Sequence, residues 1–497
     1  MYKAKAIFLG IVILALVLVA GLVWRGGSGK DGLDEPLVMF CAAGIRAPVE
    51  AIAAAYEEEY GVPVQLQFGG SGTLLSSLKV SNADIYLAAD TSYTDLAKEE
   101  GLLAETMEVS YLTAGLGVPK GNPKGVKSLE DLKREDLKVG LANPEAASVG
   151  KFTKKVLSEH GVWDGVDAEV MTPTVNELAN SLKLGTIDVA VVWDALAEQY
   201  EEIDFVSVPE FDVEKKTITV GVLKAAPHPT AALTFCRFLT SRDRGLPVFA
   251  AEGYEVPEDA DVWEETPELL LFSGAMLRPA LQETVTAFEE REGVRITPVY
   301  NGCGILVAQM KAGEQPDAYF SCDIKFMDMV EERFMESKTV SANDMVILAE
   351  KGNPKGITEL KDLVKPGLRI GFAHPEKSAL GDLTKSLLED EGLYQDIVDS
   401  GNLVLDSPTG DFLVNQAKTG SLDAVIVYRS NAQADPGTVE SLDIIDIDRP
   451  KAVAHQPWAI GKHSDHKRLL ERFYESAVSP ESKEQFLSFG FRWELED

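Results

Sequence analysis

The sequence predicts an α/β protein assembled from two tandem copies of one domain-sized module. Three observations lead there. At 497 residues the chain is too long for a single ordinary core. Short apolar runs alternate along it with segments of helical periodicity, the pattern of βα units with mostly parallel strands. And the chain repeats itself, in order, over a period far beyond that of solenoid arrays, so each copy is a whole domain.

The repeat is read directly. Lys120-Gly-Asn-Pro-Lys-Gly-Val126 recurs as Lys351-Gly-Asn-Pro-Lys-Gly-Ile357, and Ala142-Asn-Pro-Glu145 as Ala373-His-Pro-Glu376. Arg46 pairs with Arg278, Gly70-Ser-Gly72 with Gly302-Cys-Gly304, and Asp84-Ile-Tyr86 with Asp317-Ala-Tyr319. Asp188-Val-Ala-Val-Val-Trp193 answers Asp423-Ala-Val-Ile-Val-Tyr428. The expected boundaries are 1–34 for an N-terminal segment with its linker, 35–256 for the first module, 257–267 for an acidic linker, and 268–497 for the second module.

Within the first copy, strands are expected at Leu37–Phe40, Val62–Phe68, Ala83–Ala88, Lys138–Leu141 and Ile187–Trp193. Helices are expected at Ala47–Tyr60, Thr73–Val80, near Tyr93–Glu100, and at Val149–His160 and Val175–Leu184. In such folds ligands sit beyond the carboxyl ends of strands, where helix N-termini point inward.

Composition bounds the function. The chain is 45% hydrophobic and carries 80 acidic against 47 basic side chains, a formal charge of −33. Such a surface repels phosphate backbones and argues against nucleic acid as a partner. A small anion is not excluded, because a buried site answers to local dipoles. Ala6–Trp24 is almost continuously apolar after Lys3 and Lys5 and has the roughly 20-residue length of a membrane span. The expectation is an uncleaved anchor, with a cleaved signal peptide as the alternative; either way the remainder is exported. Of the 4 cysteines, Cys41 and Cys236 lie in one half and Cys303 and Cys322 in the other. Disulfides within each half and buried thiols are both compatible with that distribution.

Four strand-to-helix turns in the first copy suit a small ligand. Phe68-Gly-Gly-Ser-Gly-Thr-Leu74 offers unpaired amides and the Ser71 hydroxyl, although Ser71 as a mere helix cap is the plain alternative. Phe40-Cys-Ala-Ala-Gly-Ile-Arg-Ala-Pro48 brings small residues around Gly44, and Arg46 is placed to reach an anion. The starts of the helices at Val149 and Val175 supply further amides, and Trp193 ends a strand where a ring walls a pocket or simply fills the core. Catalytic patterns are missing: none of the 6 histidines has metal-ligand spacing, and neither a G-x-S-x-G elbow nor a C-x-x-C pair occurs.

These turns, in this order, resemble the periplasmic molybdate-binding proteins of ABC importers over about Glu35–Val256 and again over about Glu268–Leu495. The resemblance implies two tandem type II periplasmic-binding-protein modules, each of two α/β lobes, after an N-terminal transmembrane helix. It implies capture of one tetrahedral oxyanion such as molybdate or tungstate, with no enzymatic activity and no metal or cofactor, and an ABC permease and ATPase as partners. The family's first Ser position is Gly44 here, its second is Ser71, its backbone donors fall near Val149 and Val175, and its ring hydroxyl position is Trp193, with Arg46 as a compensating cation. In the second copy the corresponding positions are Met276, Cys303, Leu380, Gly410 and Tyr428, with Arg278 beside them. Two alternatives stay open: a membrane-tethered sensory or interaction module, and soft-metal binding of Cu(I) by Met276, Cys303 and Cys322 in the second copy.

Overall fold

The structure is a computed structural model and describes residues 35–212 and 215–495. The stretch Ala6–Trp24 lies outside the described residues, and among those described no helix is long and apolar enough to cross a membrane. The chain divides into two compact units between Glu258 and Asp259.

In the first unit two five-stranded sheets each form the centre of a lobe. One sheet runs Val64–Gly69, Leu37–Ala42, Ile85–Ala88, Lys216–Leu223, Leu103–Leu112. The other runs Ala168–Thr172, Val139–Ala142, Val189–Trp193, Ala114–Pro119, Ile203–Val206. Three strands of each sheet are parallel, as expected from the βα alternation, and the two on one side pair antiparallel. Those antiparallel strands carry the chain between lobes: it leaves the first sheet at Leu112, enters the second at Ala114, and returns after Val206.

The repeated motifs hold this framework together. Asp84, 1% exposed, accepts the amides of Val38 and His228, both at 2.9 Å. Its counterpart Asp317 accepts the Leu270 amide and the Ser464 hydroxyl, both at 2.8 Å. Asp188 takes the Lys138 amide at 3.0 Å, and Asp423 the Arg369 amide at 2.8 Å. Each aspartate just precedes a central strand and fastens the neighbouring segment to it. Asn122 and Asn353 both adopt φ 46°, and each side chain closes a loop by bonding the residue four positions on. The most visible repeat is therefore a turn, for which Asn tolerates left-handed backbone better than most residues.

Long amphipathic helices cover the sheets. Arg46–Tyr60 buries Val49, Ile52, Ala53 and Tyr56, spaced as one helical face, and stops where Gly61 takes φ 71°. Tyr56 packs edge-on against Phe235 and Phe238, each at 5.1 Å. In the second unit the equivalent helix Arg278–Glu292 ends at Gly293, φ 67°. Its last residue, Glu292, is buried and accepts two bonds from Arg472, at 2.7 and 3.0 Å.

The second unit repeats the two-lobe plan with one change. A single strand, Lys338–Glu350, serves both lobes: its first half pairs with Val453–Ile460 and Phe491–Trp493, its second with Ala424–Tyr428 and Leu442–Asp446. In the first unit the same path is interrupted at Thr113, whose amide donates to Asp194 Oδ2 at 3.1 Å. Cysteine pairing also differs. Cys303 and Cys322 form a disulfide, whereas Cys41 and Cys236 are buried thiols. Burial pushes the Cys41 thiol well above its ordinary range.

Candidate functional site

In the first unit the expected turns converge on one small cavity between the lobes. Five of the six expected residues line it: Gly44, Ser71, Val149, Val175 and Trp193. Its volume is about 20 Å³, room for a small inorganic group but not for a sugar or an amino acid. The lobes meet closely around it. Gly72 donates its amide to Ala146 O at 2.9 Å, from the first lobe to the second. At Gly70 a Cβ would lie 2.3 Å from Ala146 O and 2.5 Å from Pro173 O, so this approach requires glycine.

Helix N-termini aim at this space from both lobes. Ser71 opens the helix Ser71–Leu78, but it is not the cap: Gly70 holds that position. The Ser71 hydroxyl accepts the Ala89 amide at 3.3 Å, on a residue that is 1% exposed and lines the cavity. Across the cleft lie the starts of Ser148–Glu159 and of Val175–Lys183, the latter capped by Thr174, which accepts the Glu177 amide at 3.4 Å. The Gly72, Thr73 and Glu177 amides are taken up by Ala146 O and Thr174 Oγ1, and the helix dipoles give a field that favours negative charge.

Arg46 is not part of this arrangement. Its side chain is 52% exposed, pairs with Glu50 at 3.2 Å, and lies 3.8 Å over the Phe68 ring. Arg278 repeats the posture over Tyr300, at 5.8 Å. The recurrence that suggested a compensating cation is explained by stacking on the aromatic residue of the adjacent strand. Among the described residues no charged side chain lines the cavity.

Three contributors were not read from the sequence. Ser148, 4% exposed, brings a second hydroxyl to the wall from the opposite lobe. Ala89 supplies the amide that orients Ser71. Tyr254 donates its hydroxyl to Gly44 O at 2.7 Å and so fixes the first turn from a position distant in sequence. Trp193 is 2% exposed and stacked on Phe152 at 6.2 Å, so it serves as both core and wall.

In the second unit the corresponding positions are packed. Met276, Cys303, Leu380 and Tyr428 are all members of one buried apolar cluster, at 4%, 0%, 1% and 3% exposure. The Cys303–Cys322 disulfide stands where the first unit has the Ser71–Ala89 hydrogen bond, and Cys322 Sγ would lie 2.5 Å from a Cβ at Gly274. This corrects the expectation of a Cu(I) site: two of the three soft ligands are consumed in a covalent bond and offer no thiolate. Bulk is also exchanged across the cleft. A Cβ at Gly44 would meet Val175 Cγ1 at 3.1 Å; in the second unit the aligned residues are Met276 and Gly410, and a Cβ at Gly410 would meet Asn431 Oδ1 at 2.4 Å. The Tyr428 hydroxyl is buried without a hydrogen-bond partner among the described residues.

Known proteins resemble each half of the chain. The family described as bacterial extracellular solute-binding protein matches residues 37–255 and again 269–492. A putative binding protein of Haemophilus influenzae is 26% identical over 222 residues, covering 44% of this chain and 90% of that protein. A molybdate-binding protein of Mycobacterium bovis is 27% identical over 257 residues, covering 49% of this chain and 97% of that one. Among solved structures, the periplasmic molybdate-binding protein of Azotobacter vinelandii aligns with a TM-score of 0.40 at 17% identity, over 45% of this chain and all of that one. Matched along both halves, the chain belongs to the family of bacterial extracellular solute-binding proteins and carries its domain twice.

Proposed function

We propose that the first module captures a small tetrahedral oxyanion, of the molybdate and tungstate class, and delivers it to the permease and ATPase of an ABC importer. The observation that carries this reading is the cavity: small, without a charged side chain, and rimmed by helix N-termini and two serine hydroxyls from opposing lobes. A lining of amides and hydroxyls with no carboxylate among the described residues suits a fully ionised anion better than one that must keep a proton. Similarity to a molybdate-binding protein supports the choice of ligand. The same reading places the modules outside the cytoplasm, tethered by the apolar stretch Ala6–Trp24 or released if that stretch is cleaved.

Thermal unfolding with added anion tests the proposal. At about 100 times Kd a ligand stabilises the native state by about 2.7 kcal/mol, or about 5–10 °C for a domain of this size. Molybdate or tungstate is expected to give a saturable rise of that order; a flat response to both, and to sulfate and phosphate, refutes it.

A further inference from the structure

We propose that the second module carries a redox-gated anion site: shut while Cys303 and Cys322 are joined, and restored when they are reduced. The proposal rests on the reading of the first cleft given above. Position by position, Cys303 takes the place of Ser71 and Cys322 that of Ala89. In the first module the Ala89 amide donates to Ser71 Oγ at 3.3 Å; in the second the Cys322 amide lies 3.0 Å from Cys303 Sγ. The amide geometry is thus retained, with sulfur for oxygen. What differs is the bond. The disulfide removes the S–H that would donate to a ligand and sets Cys322 Sγ against the Gly274 backbone, in the turn that corresponds to Ala42-Ala-Gly44.

Two further features of this packed cleft bear on its opening. The Tyr428 hydroxyl, on a residue 3% exposed, has no partner among the described residues, a costly arrangement for a polar group unless an acceptor arrives. And Met276 stands where Gly44 does, while Gly410 replaces Val175 and has Asn431 and Leu380 packed against it. An unbranched thioether can swing aside on ligand entry as a branched side chain cannot.

The chemistry balances with a dithiol reductant. Its thiolate attacks one sulfur of Cys303–Cys322, the mixed disulfide resolves, and two electrons and two protons leave the second module with two thiols and the reductant oxidised to its own disulfide. Cys303 is 0% exposed, so attack requires the lobes to part, breaking the Lys325–Asp382 bridge that now spans them with two contacts of 2.7 Å.

The test counts sulfate or tungstate bound per full-length chain by native mass spectrometry, before and after reduction with a phosphine and its removal under anaerobic conditions. One equivalent when oxidised and two when reduced is the expected result. The double variant Cys303→Ser/Cys322→Ala, which installs the residue pair of the first module, is expected to bind two equivalents whether or not reductant is used. Ser71→Ala assigns the sites, since it weakens the first without touching the second. One equivalent in both redox states overturns the gate and leaves the first cleft's role intact, and so do two in both states. No binding in any state overturns the reading of the first cleft, and the gate with it. If the double variant fails to fold, the reduced wild-type count decides alone.

Discussion

The Gly72 amide and the Ala146 carbonyl oxygen are 2.9 Å apart, a backbone hydrogen bond that joins the two lobes of the first module beside its cavity. Closure is therefore secured by main chain at a point where no side chain fits. A Cβ on Gly72 would lie 2.3 Å from Glu145 O and 3.2 Å from the Tyr93 ring. Gly72→Ala is expected to oppose closure while favouring the helix it sits in, by up to about 1 kcal/mol. Anion affinity should fall at least about tenfold, the equivalent of about 1.4 kcal/mol, with no drop in the melting temperature of the unliganded protein. Calorimetric titration and a thermal melt of the same sample check both signs.

Ser71 and Arg46 should behave oppositely. Ser71→Ala removes a buried hydroxyl that accepts from Ala89 and faces the cavity, so affinity is expected to fall about 10- to 100-fold, for a loss of about 1.5–3 kcal/mol at a charged ligand. Arg46→Ala removes an exposed side chain engaged with Glu50 and Phe68, and should change affinity less than about twofold, as exposed pairs contribute about 0–1 kcal/mol. Parallel titrations separate them.

Much of this was legible in the sequence, for reasons that can be named. Helix and strand positions in the βα units follow from apolar spacing, and the observed Val175–Lys183 and Val189–Trp193 lie within two residues of expectation. The convergence of Gly44, Ser71, Val149 and Val175 was readable because each sits at a strand-to-helix turn, and topology brings such turns together. The crossover strands Leu103–Leu112, Ala114–Pro119 and Lys216–Leu223 were not read, since they stand outside the βα alternation and pair antiparallel. Tyr254 was missed because nothing local marks a tyrosine that reaches Gly44 from the far end of its module. Arg46 misled because repetition signals a shared structural role as readily as a shared ligand. The cysteines could not be paired from sequence because pairing depends on which turns meet.

The buried pair Glu292–Arg472 ties the first long helix of the second unit to Lys467–Ala477. Glu292→Gln removes the carboxylate charge from a site that is 1% exposed, and should destabilise this unit by about 3–5 kcal/mol. The urea midpoint of its transition is expected to fall with the slope unchanged.

Asp362 predicts an acid response. The Thr358 amide and further donors around it, among them Thr358 Oγ1, Lys365 and the Glu359 amide, hold its carboxyl well below its ordinary 3.8. A carboxyl lowered in the folded state stabilises above its unfolded value, and that contribution is lost as pH falls through the folded one. Stability measured from pH 5 downward should therefore decline less steeply in Asp362→Asn than in the wild type. Identical slopes would remove Asp362 from the acid response.

The most direct measurement is anomalous diffraction from oxidised crystals grown with tungstate. A single tungsten peak per chain is expected, enclosed by the helix starts at Ser71, Val149 and Val175 and absent from the cleft of Cys303 and Tyr428. Density at any other place in the first module, or none at saturating tungstate, would contradict capture by those helix tips.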